Sequence, residues 1–408
     1  MHKRNGKSFF TKTDIIHVVT ILSINFLSMS GMNLSAALNN IAENFPGESI
    51  DAIQSLVTLP SIVIVFTSFF ADPLSKMISK KRTILLGTLF FVVSGIFPTF
   101  FNSFAVIKAS RLLIGIGIGL ITPLSSTLLF DFFTDSYQRN TVLGWASCGS
   151  SMGSIVAVNL AGFLAVIDYH YAFLVHLIGL ITFTINFLFL PQDSQHVEIV
   201  EENTKKDFRK IIGNTNPKIL IWFALMVFYM GYLNAFSTKI SILVESSGIG
   251  TTAVSAMGIT LFTGGCFVTG LFYGKLSKLL KSFTMVCGII LSSIGLFSLA
   301  ICSSTVLVYA SGLFTGIGLC MTTPGILVGV VENSDETFRT TAIALNTVCS
   351  NLGLSFSPYL TAITTSVFYG DTKTIRNEYF VSSAALLIIG FCVGFIFLLR
   401  TAKRRQYK

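Results

Sequence analysis

Apolar residues recur in runs of about twenty along most of the chain, with short polar or basic stretches between them. A helix that crosses a bilayer needs about 20 mostly apolar residues, so each run is long enough to span. The runs fall at 15–38, 51–71, 83–103, 105–130, 140–166 and 170–190. They resume at 218–241, 250–274, 282–302, 305–331, 339–367 and 378–399. Between the two sets lies a polar stretch, 191–217, with Pro191, five acids and four bases before Pro217. The pattern predicts an all-α integral membrane protein of twelve spans, arranged as two six-helix repeats. It divides into a first bundle over 1–190, a linker over 191–217 and a second bundle over 218–408. The first run follows a basic segment, as in a secretory signal, but it is too long for one and many runs follow it. It reads as a retained first span.

Charge gives the orientation. With both termini on one side, that side receives all but five of the 28 Lys and Arg. They sit in the N-terminal tail (Lys3, Arg4, Lys7, Lys12), the loop between spans 2 and 3 (Lys76, Lys80, Lys81, Arg82), the linker and the C-terminal tail. Arg139, Lys275, Lys278, Lys281 and Arg339 occupy the other loops of that side. The five exceptions are Lys108, Arg111, Lys239, Lys373 and Arg376. Such asymmetry marks the cytoplasmic side, so both termini and the linker are expected there. The net charge of +9 then reflects topology and contact with anionic membrane lipids, and no nucleic-acid partner is expected.

Composition agrees. The chain is 52% hydrophobic and 12% charged, with mean hydropathy +0.74. A soluble chain carries about 25% charged residues. A soluble enzyme, a disordered protein and a nucleic-acid-binding module are thereby excluded. The 38 Phe and 33 Gly suit lipid-facing helices with close crossings. Seven cysteines, at 148, 266, 287, 302, 320, 349 and 392, lie inside apolar runs without a CxxC pair. They indicate neither structural zinc nor paired redox thiols. No GxxxxGK[ST] loop is present, so no ATP drive is visible. Nucleophile triads and metal clusters are absent as well; no enzyme activity, cofactor or metal is expected.

The two halves repeat. Residues 112–124 align with 313–325, and six of the thirteen pairs are identical: Leu112/Leu313, Gly115/Gly316, Ile116/Ile317, Gly117/Gly318, Thr122/Thr323 and Pro123/Pro324. Leu74-Ser75-Lys76 recurs as Leu276-Ser277-Lys278, Asp135 and Arg139 recur as Asp335 and Arg339, and Gly153 as Gly353. Two such halves, related by an axis along the membrane normal, resemble the arrangement of major facilitator transporters. The chain resembles that superfamily over essentially its full length. The loop from Asp72 to Arg82 resembles its first signature, Gly-x-Leu-x-Asp-x-x-Gly-Arg-Lys, through Leu74 and the basic trio Lys80, Lys81 and Arg82. Asp72 stands at the first Gly, Lys76 at the Asp and Ser79 at the second Gly. Arg111-x-x-x-Gly115-x-Gly117-x-Gly119 resembles the span-4 signature. Gly144, Gly149, Gly153 and Gly162 resemble the glycine-rich span 5 of drug and proton antiporters, without its Gly-Pro step. The segment from Phe45 to Lys81, with Gln54, Thr58 and Pro60, resembles Gram-positive permeases taken as exporters.

Several residues stand out as candidates. Glycines four apart let two helix backbones approach closely, as at Gly115/Gly119, Gly149/Gly153 and Gly312/Gly316. Such faces either allow one half to rock on the other or simply pack a helix pair. The Thr-Pro steps at 122–123 and 323–324 are expected to break or kink spans 4 and 10. Arg111 falls inside span 4, where a charge costs about 2.5–3.5 kcal/mol by insertion scales. It faces either the interior or the outer interface; the resemblance implies a cavity-lining Arg linked to proton transfer. Its expected partners are neutral acceptors such as Asn25 and Gln54, or the solute.

The resemblance also implies that spans 1, 4, 7 and 10 line a cavity, flanked by 2, 5, 8 and 11. The polar residues on those spans are Asn25, Asn33, Gln54, Thr58, Tyr229, Tyr232, Asn234, Asn346, Ser350 and Asn351. Amides and phenols among many Phe suggest room for an amphipathic solute. No Asp or Glu lies in the middle of a span, unlike the embedded acid usual in proton antiporters of this family. At the cytoplasmic mouths sit Asp72, Lys76, Lys80, Lys81, Arg82, Asp131, Arg139, Asp335 and Arg339. They are either a gate or solvated loop charges of little energetic weight.

The expected function is secondary transport of a small molecule across a bacterial plasma membrane by alternating access, acting as a monomer. Export of amphipathic or drug-like compounds, with protons as a possible coupling ion, is the favoured form. A facilitator-type importer of a sugar or organic anion, and a non-transporting sensor or lipid scramblase, are the alternatives.

Overall fold

The computed structural model describes residues 10–28, 37–48, 50–192, 217–250, 252–370 and 374–406. Asn33 and nearly all of the 191–217 linker lie outside the described residues, as do the side chains of Gln54 and Thr58. The described residues form helices joined by short loops, with no strand among them. Span 1 is the helix Lys12–Ser28, followed by a short helix, Leu38–Asn44. Spans 2 to 5 are Ile50–Ile78, Lys80–Ile96, Phe104–Phe132 and Ser136–Ile167. Span 6 opens as a 3-10 stretch, Tyr169–Leu177, and continues as Ile178–Phe189. Span 7 is Pro217–Leu233 with Ala235–Ser246, and span 8 is Thr252–Leu280. Spans 9 to 12 are Phe283–Ala300, Thr305–Glu332, Arg339–Tyr369 and Ile375–Gln406.

Ten helices among the described residues are both long and apolar enough to cross a membrane. The other two spans have visible reasons for falling short. The described helix of span 1 is only 17 residues. Span 11 runs 31 residues but carries Asn346, Ser350, Asn351 and Ser357. Span 8 outlasts its apolar run because Lys275 and Lys278 can keep their ammonium groups in water while their stems lie along the helix.

The Thr-Pro steps do not break their helices. Spans 4 and 10 continue through Pro123 and Pro324. Pro123 deprives the Gly119 carbonyl of its helical donor, and Ser68 of span 2 supplies another at 3.3 Å. The break comes in span 7 instead, at Asn234, without a proline. There the Asn234 amide donates to the Leu354 carbonyl of span 11 at 3.1 Å.

The sequence repeat is also a packing repeat. A methyl built on Gly117 of span 4 would lie 2.5 Å from the Gly87 carbonyl oxygen of span 3. On Gly318 of span 10 it would lie the same distance from the Gly288 carbonyl of span 9. Gly153 likewise abuts the Phe26 carbonyl of span 1, and Gly353 the Val227 carbonyl of span 7. One hydrophobic cluster holds the second half, around Tyr229, Phe236, Leu296 and Tyr379. A second, around Ile41, Leu56, Phe104 and Phe173, holds the end of the first half away from the basic loops and draws on that half alone. A third, at the basic end, mixes the halves: Leu327, Val331 and Ile343 join Leu128, Phe130 and Val142.

Candidate functional site

The halves meet chiefly along two pairs of spans, 2 with 11 and 5 with 8, and the bonds that join them lie toward the basic end. Thr341, in the first turn of span 11, donates its hydroxyl to the Asp72 carboxylate of span 2. Asp72 is only 4% exposed, and Lys76 reaches back one turn to it at 3.0 Å. A carboxylate beside the start of a helix is also favoured by the helix dipole. Arg139 of span 5 pairs with Glu332 of span 10 at 3.7 Å and lies over the Phe130 ring at 5.3 Å. Asn140 of span 5 donates to Ser277 of span 8 at 2.6 Å, and the Cys148 thiol donates to the Phe267 carbonyl at 2.9 Å. Gly144 and Gly270 let the two backbones touch: a methyl on Gly270 would lie 2.5 Å from the Gly144 carbonyl oxygen.

The repeat explains why Asp72 matters. Its counterpart in the second half is Gly274, in Gly274-Lys275-Leu276-Ser277-Lys278, and Gly274 packs against Thr141 of span 5. Thr141 is in turn the counterpart of Thr341. At one of two equivalent places the halves therefore touch through a glycine, and at the other through a buried carboxylate. The sequence comparison placed Asp72 at a signature glycine; the structure puts it on the seam.

The other expected gate charges stay within their own halves. Lys80 pairs with Asp131 at 2.7 Å, both in the first half. Lys81 donates to the Leu190 carbonyl at 2.6 Å, at the end of span 6. Arg82 contributes a backbone bond to Ser79. Arg339 pairs locally with Glu336 at 3.2 Å, and Asp335 is exposed and makes no side-chain cap. Of the nine expected gate residues, Asp72 and Arg139 cross the seam, with Lys76 supporting Asp72. Duplication in sequence does not produce duplicated pairs, because Asp131, the counterpart of Glu332, is taken by Lys80.

The glycine pairs also belong to the halves rather than the seam. Gly115 and Gly119 receive span 2 at Pro60 and Thr67, and Gly149 and Gly153 receive span 1 at Leu22 and Phe26. Gly312 and Gly316 receive span 8 at Gly258 and Phe262. They pack spans of one half together; the glycines at the seam are Gly144, Gly270 and Gly274.

Arg111 is completely buried within the first half. Its guanidinium lies 3.5 Å from His176 Nε2 and over the Phe173 ring at 5.6 Å, both on span 6. Its side chain is enclosed by protein rather than exposed at a surface, and Asn25 is engaged by other partners. Asn25 donates to Ser125 of span 4 at 2.8 Å, and Ser150 of span 5 donates to the Asn25 carbonyl at 3.1 Å. Asn25 thus ties spans 1, 4 and 5. Tyr229 is also buried inside its half, sharing a hydrogen bond of 2.9 Å with Ser292 of span 9. Tyr232 faces Thr364 and Asn234 bonds Leu354, both on span 11, where Asn346 and the half-buried Ser350 stand one turn apart. The structure therefore brings spans 1, 4 and 5 together at Asn25, and spans 7 and 11 together at Tyr232 and Asn234. It directs Arg111 and Tyr229 elsewhere.

Sequence reading missed one ionic centre. Lys239, on the outer segment of span 7, pairs with Glu378 in the first turn of span 12 and donates to Thr361 of span 11 at 2.8 Å. Only Lys239 drew notice, as a base on the less basic side. Its partner lies too far along the chain for spacing to reveal it.

Two stretches of the chain, residues 19–270 and 221–408, match the model of the Major Facilitator Superfamily. The Multidrug efflux pump LfrA of Mycolicibacterium smegmatis is 26% identical over 150 residues, 36% of this chain and 30% of that pump. The Quinolone resistance protein NorA of Staphylococcus aureus strain MRSA252 is 23% identical over 285 residues, 67% of this chain and 70% of that protein. The matched stretch thus spans less than a third of LfrA. Among solved structures, the human organic anion transporter MFSD10 (TETRAN) has a TM-score of 0.74 at 13% identity, covering 94% of this chain and all of that one. The proton:xylose symporter XylE bound to 6-bromo-6-deoxy-D-glucose gives 0.72 at 13% identity, covering 92% of this chain and 94% of that one. At such identity the two structures speak for the fold alone.

Proposed function

The chain belongs to the Major Facilitator Superfamily, and on that premise we propose that it exports amphipathic, drug-like compounds across a bacterial plasma membrane by alternating access. It is a multi-pass membrane transporter of that family. The observation that carries the proposal is the seam. Two helical halves, each with a core of its own, are joined at one end by a shared apolar cluster, glycine contacts and a few polar bonds. Arg139–Glu332, with Glu332 64% exposed, is the kind of ion pair worth about 0–1 kcal/mol. Such a joint can part. With the basic end in the cytoplasm, as the charge bias expects, the joined end of the two halves is the cytoplasmic one.

Export, rather than uptake, is supported by the relatives named as an efflux pump and a quinolone resistance protein. Proton drive is part of the reading. Asp72 at the seam and Glu378 beside Lys239, both near span ends and largely enclosed, are the carboxylates offered for it. Residues 1–190 and 218–408 are the moving units, divided by the 191–217 linker, and the transporter acts as a monomer.

The test is a cross-link. Asn140→Cys with Ser277→Cys, in a chain otherwise free of cysteine, should form a disulfide across the seam. Oxidised cells should then accumulate a fluorescent quinolone as vector-only cells do, and reduction should restore export. Continued export by the fully cross-linked protein would remove alternating access from the account. Equal accumulation with and without the uncross-linked chain would remove the export reading.

A further inference from the structure

A groove of about 560 Å³ opens on the lipid-facing flank of the molecule, where spans 1, 5 and 6 meet span 8. Its walls include Val19, Phe26, Trp145, Cys148, Phe267 and Leu271. Span 5 belongs to the first half and span 8 to the second, so the groove straddles the seam. Its two hydroxyls are already engaged: Thr182 donates to the Ser23 carbonyl at 3.0 Å, and Ser23 accepts from Asn186 at 3.0 Å. Nothing in the groove recognises a polar solute. It fits hydrocarbon.

The same helix faces lead to cations. Residues seven or eleven apart return to one face of a helix. Lys12 stands seven residues before Val19, and Lys278 stands seven after Leu271 and eleven after Phe267. Lys275 follows Leu271 by one turn. Tyr137 precedes Cys148 by eleven, and the Lys278 ammonium lies 5.2 Å from its ring centre. The foot of the groove therefore crosses the seam as the groove itself does, about 10 Å below Leu271 along span 8. All three lysines are exposed. The acids nearby are turned to helix caps: Asp14 accepts from the Thr11 amide at 2.8 Å, and Asp135 from the Tyr137 and Gln138 amides at 3.0 Å.

We propose that this groove binds one anionic phospholipid, with an acyl chain along the apolar wall and the phosphate on Lys275 and Lys278, assisted by Lys12. A basic pocket between spans on the cytoplasmic side is the general form of an anionic headgroup site. Because one wall belongs to each half, the lipid holds the seam closed and is released when the halves part.

Trp145 makes the site measurable, since the chain has only 2 Trp. In nanodiscs, Trp222→Phe leaves Trp145 as the sole fluorophore. Brominated phosphatidylglycerol should quench it more than brominated phosphatidylcholine at equal mole fraction. Lys275→Gln and Lys278→Gln should each lower that preference about fivefold. Native mass spectrometry of the chain with both tryptophans in place gives a second readout: one phosphatidylglycerol retained, and lost in the double lysine variant. Equal quenching by the two lipids, or a preference untouched by the lysine changes, overturns the proposal. So does relief of the quenching by a saturating quinolone, which would make the groove a solute site. Neither readout needs transport, so this inference and the export reading fail separately.

Discussion

Arg111 and His176 form a buried pair whose chemistry fixes the role of each. His176 Nδ1 lies 2.8 Å from the Phe173 carbonyl, so the proton sits there and the Nε2 lone pair faces the guanidinium. Removing the imidazole leaves a buried cation with one acceptor fewer, which costs about 1–3 kcal/mol. Removing the guanidinium takes the charge away altogether. Thermal unfolding in detergent should therefore show His176→Ala to be more damaging than Arg111→Ala, with the double variant close to Arg111→Ala alone. Strict additivity would mean the two side chains act independently. At the far end of span 5, Asp168 caps the 3-10 start of span 6; the His170 backbone amide, and then its ring, hold its carboxyl below the ordinary range. A depressed carboxyl stabilises above its unfolded pKa, and that contribution is lost as pH falls through the folded value. Acidification should thus loosen the start of span 6, read as faster amide exchange at His170 and Tyr171, and Asp168→Asn should abolish the effect. That Arg111 is buried was legible, because an arginine inside an apolar run has few other options. Its partner was not, since 65 residues separate spans 4 and 6 at that point.

Helices pack through small residues at matched positions in the two halves, and the match makes a strong prediction. Gly117→Ala and Gly318→Ala each drive a methyl to 2.5 Å from a neighbouring carbonyl. Either must push its helix pair apart, at about 1–3 kcal/mol. Their unfolding midpoints should fall by similar amounts. Gly264, with nothing within 4 Å of the same methyl, should tolerate alanine and gain up to about 1 kcal/mol of helix propensity. If Gly264→Ala is as damaging as the other two, the packing account is wrong. Element boundaries were largely legible, because hydropathy follows the thickness of the bilayer. The break in span 7 was not: it sits at Asn234, held by a carbonyl of span 11, while the prolines of spans 4 and 10 ride inside intact helices.

The whole molecule turns on how firmly the seam holds. Asp72 is its most enclosed polar contact, whereas Glu332 on the other ion pair is largely exposed. Asp72→Ala should therefore open the basic end more than Arg139→Ala does. A cysteine at Ser277 reports it: its labelling by a maleimide on inside-out vesicles should rise several-fold in Asp72→Ala and little in Arg139→Ala, since an exposed ion pair is worth about 0–1 kcal/mol. The reverse order would place the latch at Arg139. Orientation has its own check. With both termini and the linker in the cytoplasm, an impermeant maleimide on intact cells should label a cysteine at Ser49 and spare one at Ser194; equal labelling would overturn the orientation.

The number of spans, their division into two repeats and the side that carries the basic loops follow from the sequence, because each depends on composition over about twenty residues against a slab of fixed thickness. The glycines that pack within halves were also visible, since spacing by four places them on one face. Which charges meet was decided only in the folded chain. Asp72 and Thr341 are 269 residues apart, and Asp131, which the repeat makes the equivalent of Glu332, is claimed by Lys80 of its own half. A linear pattern records what each helix offers. The partner it receives depends on how helices rotate and on which neighbour arrives first within a few ångströms, and that is a property of the packed bundle.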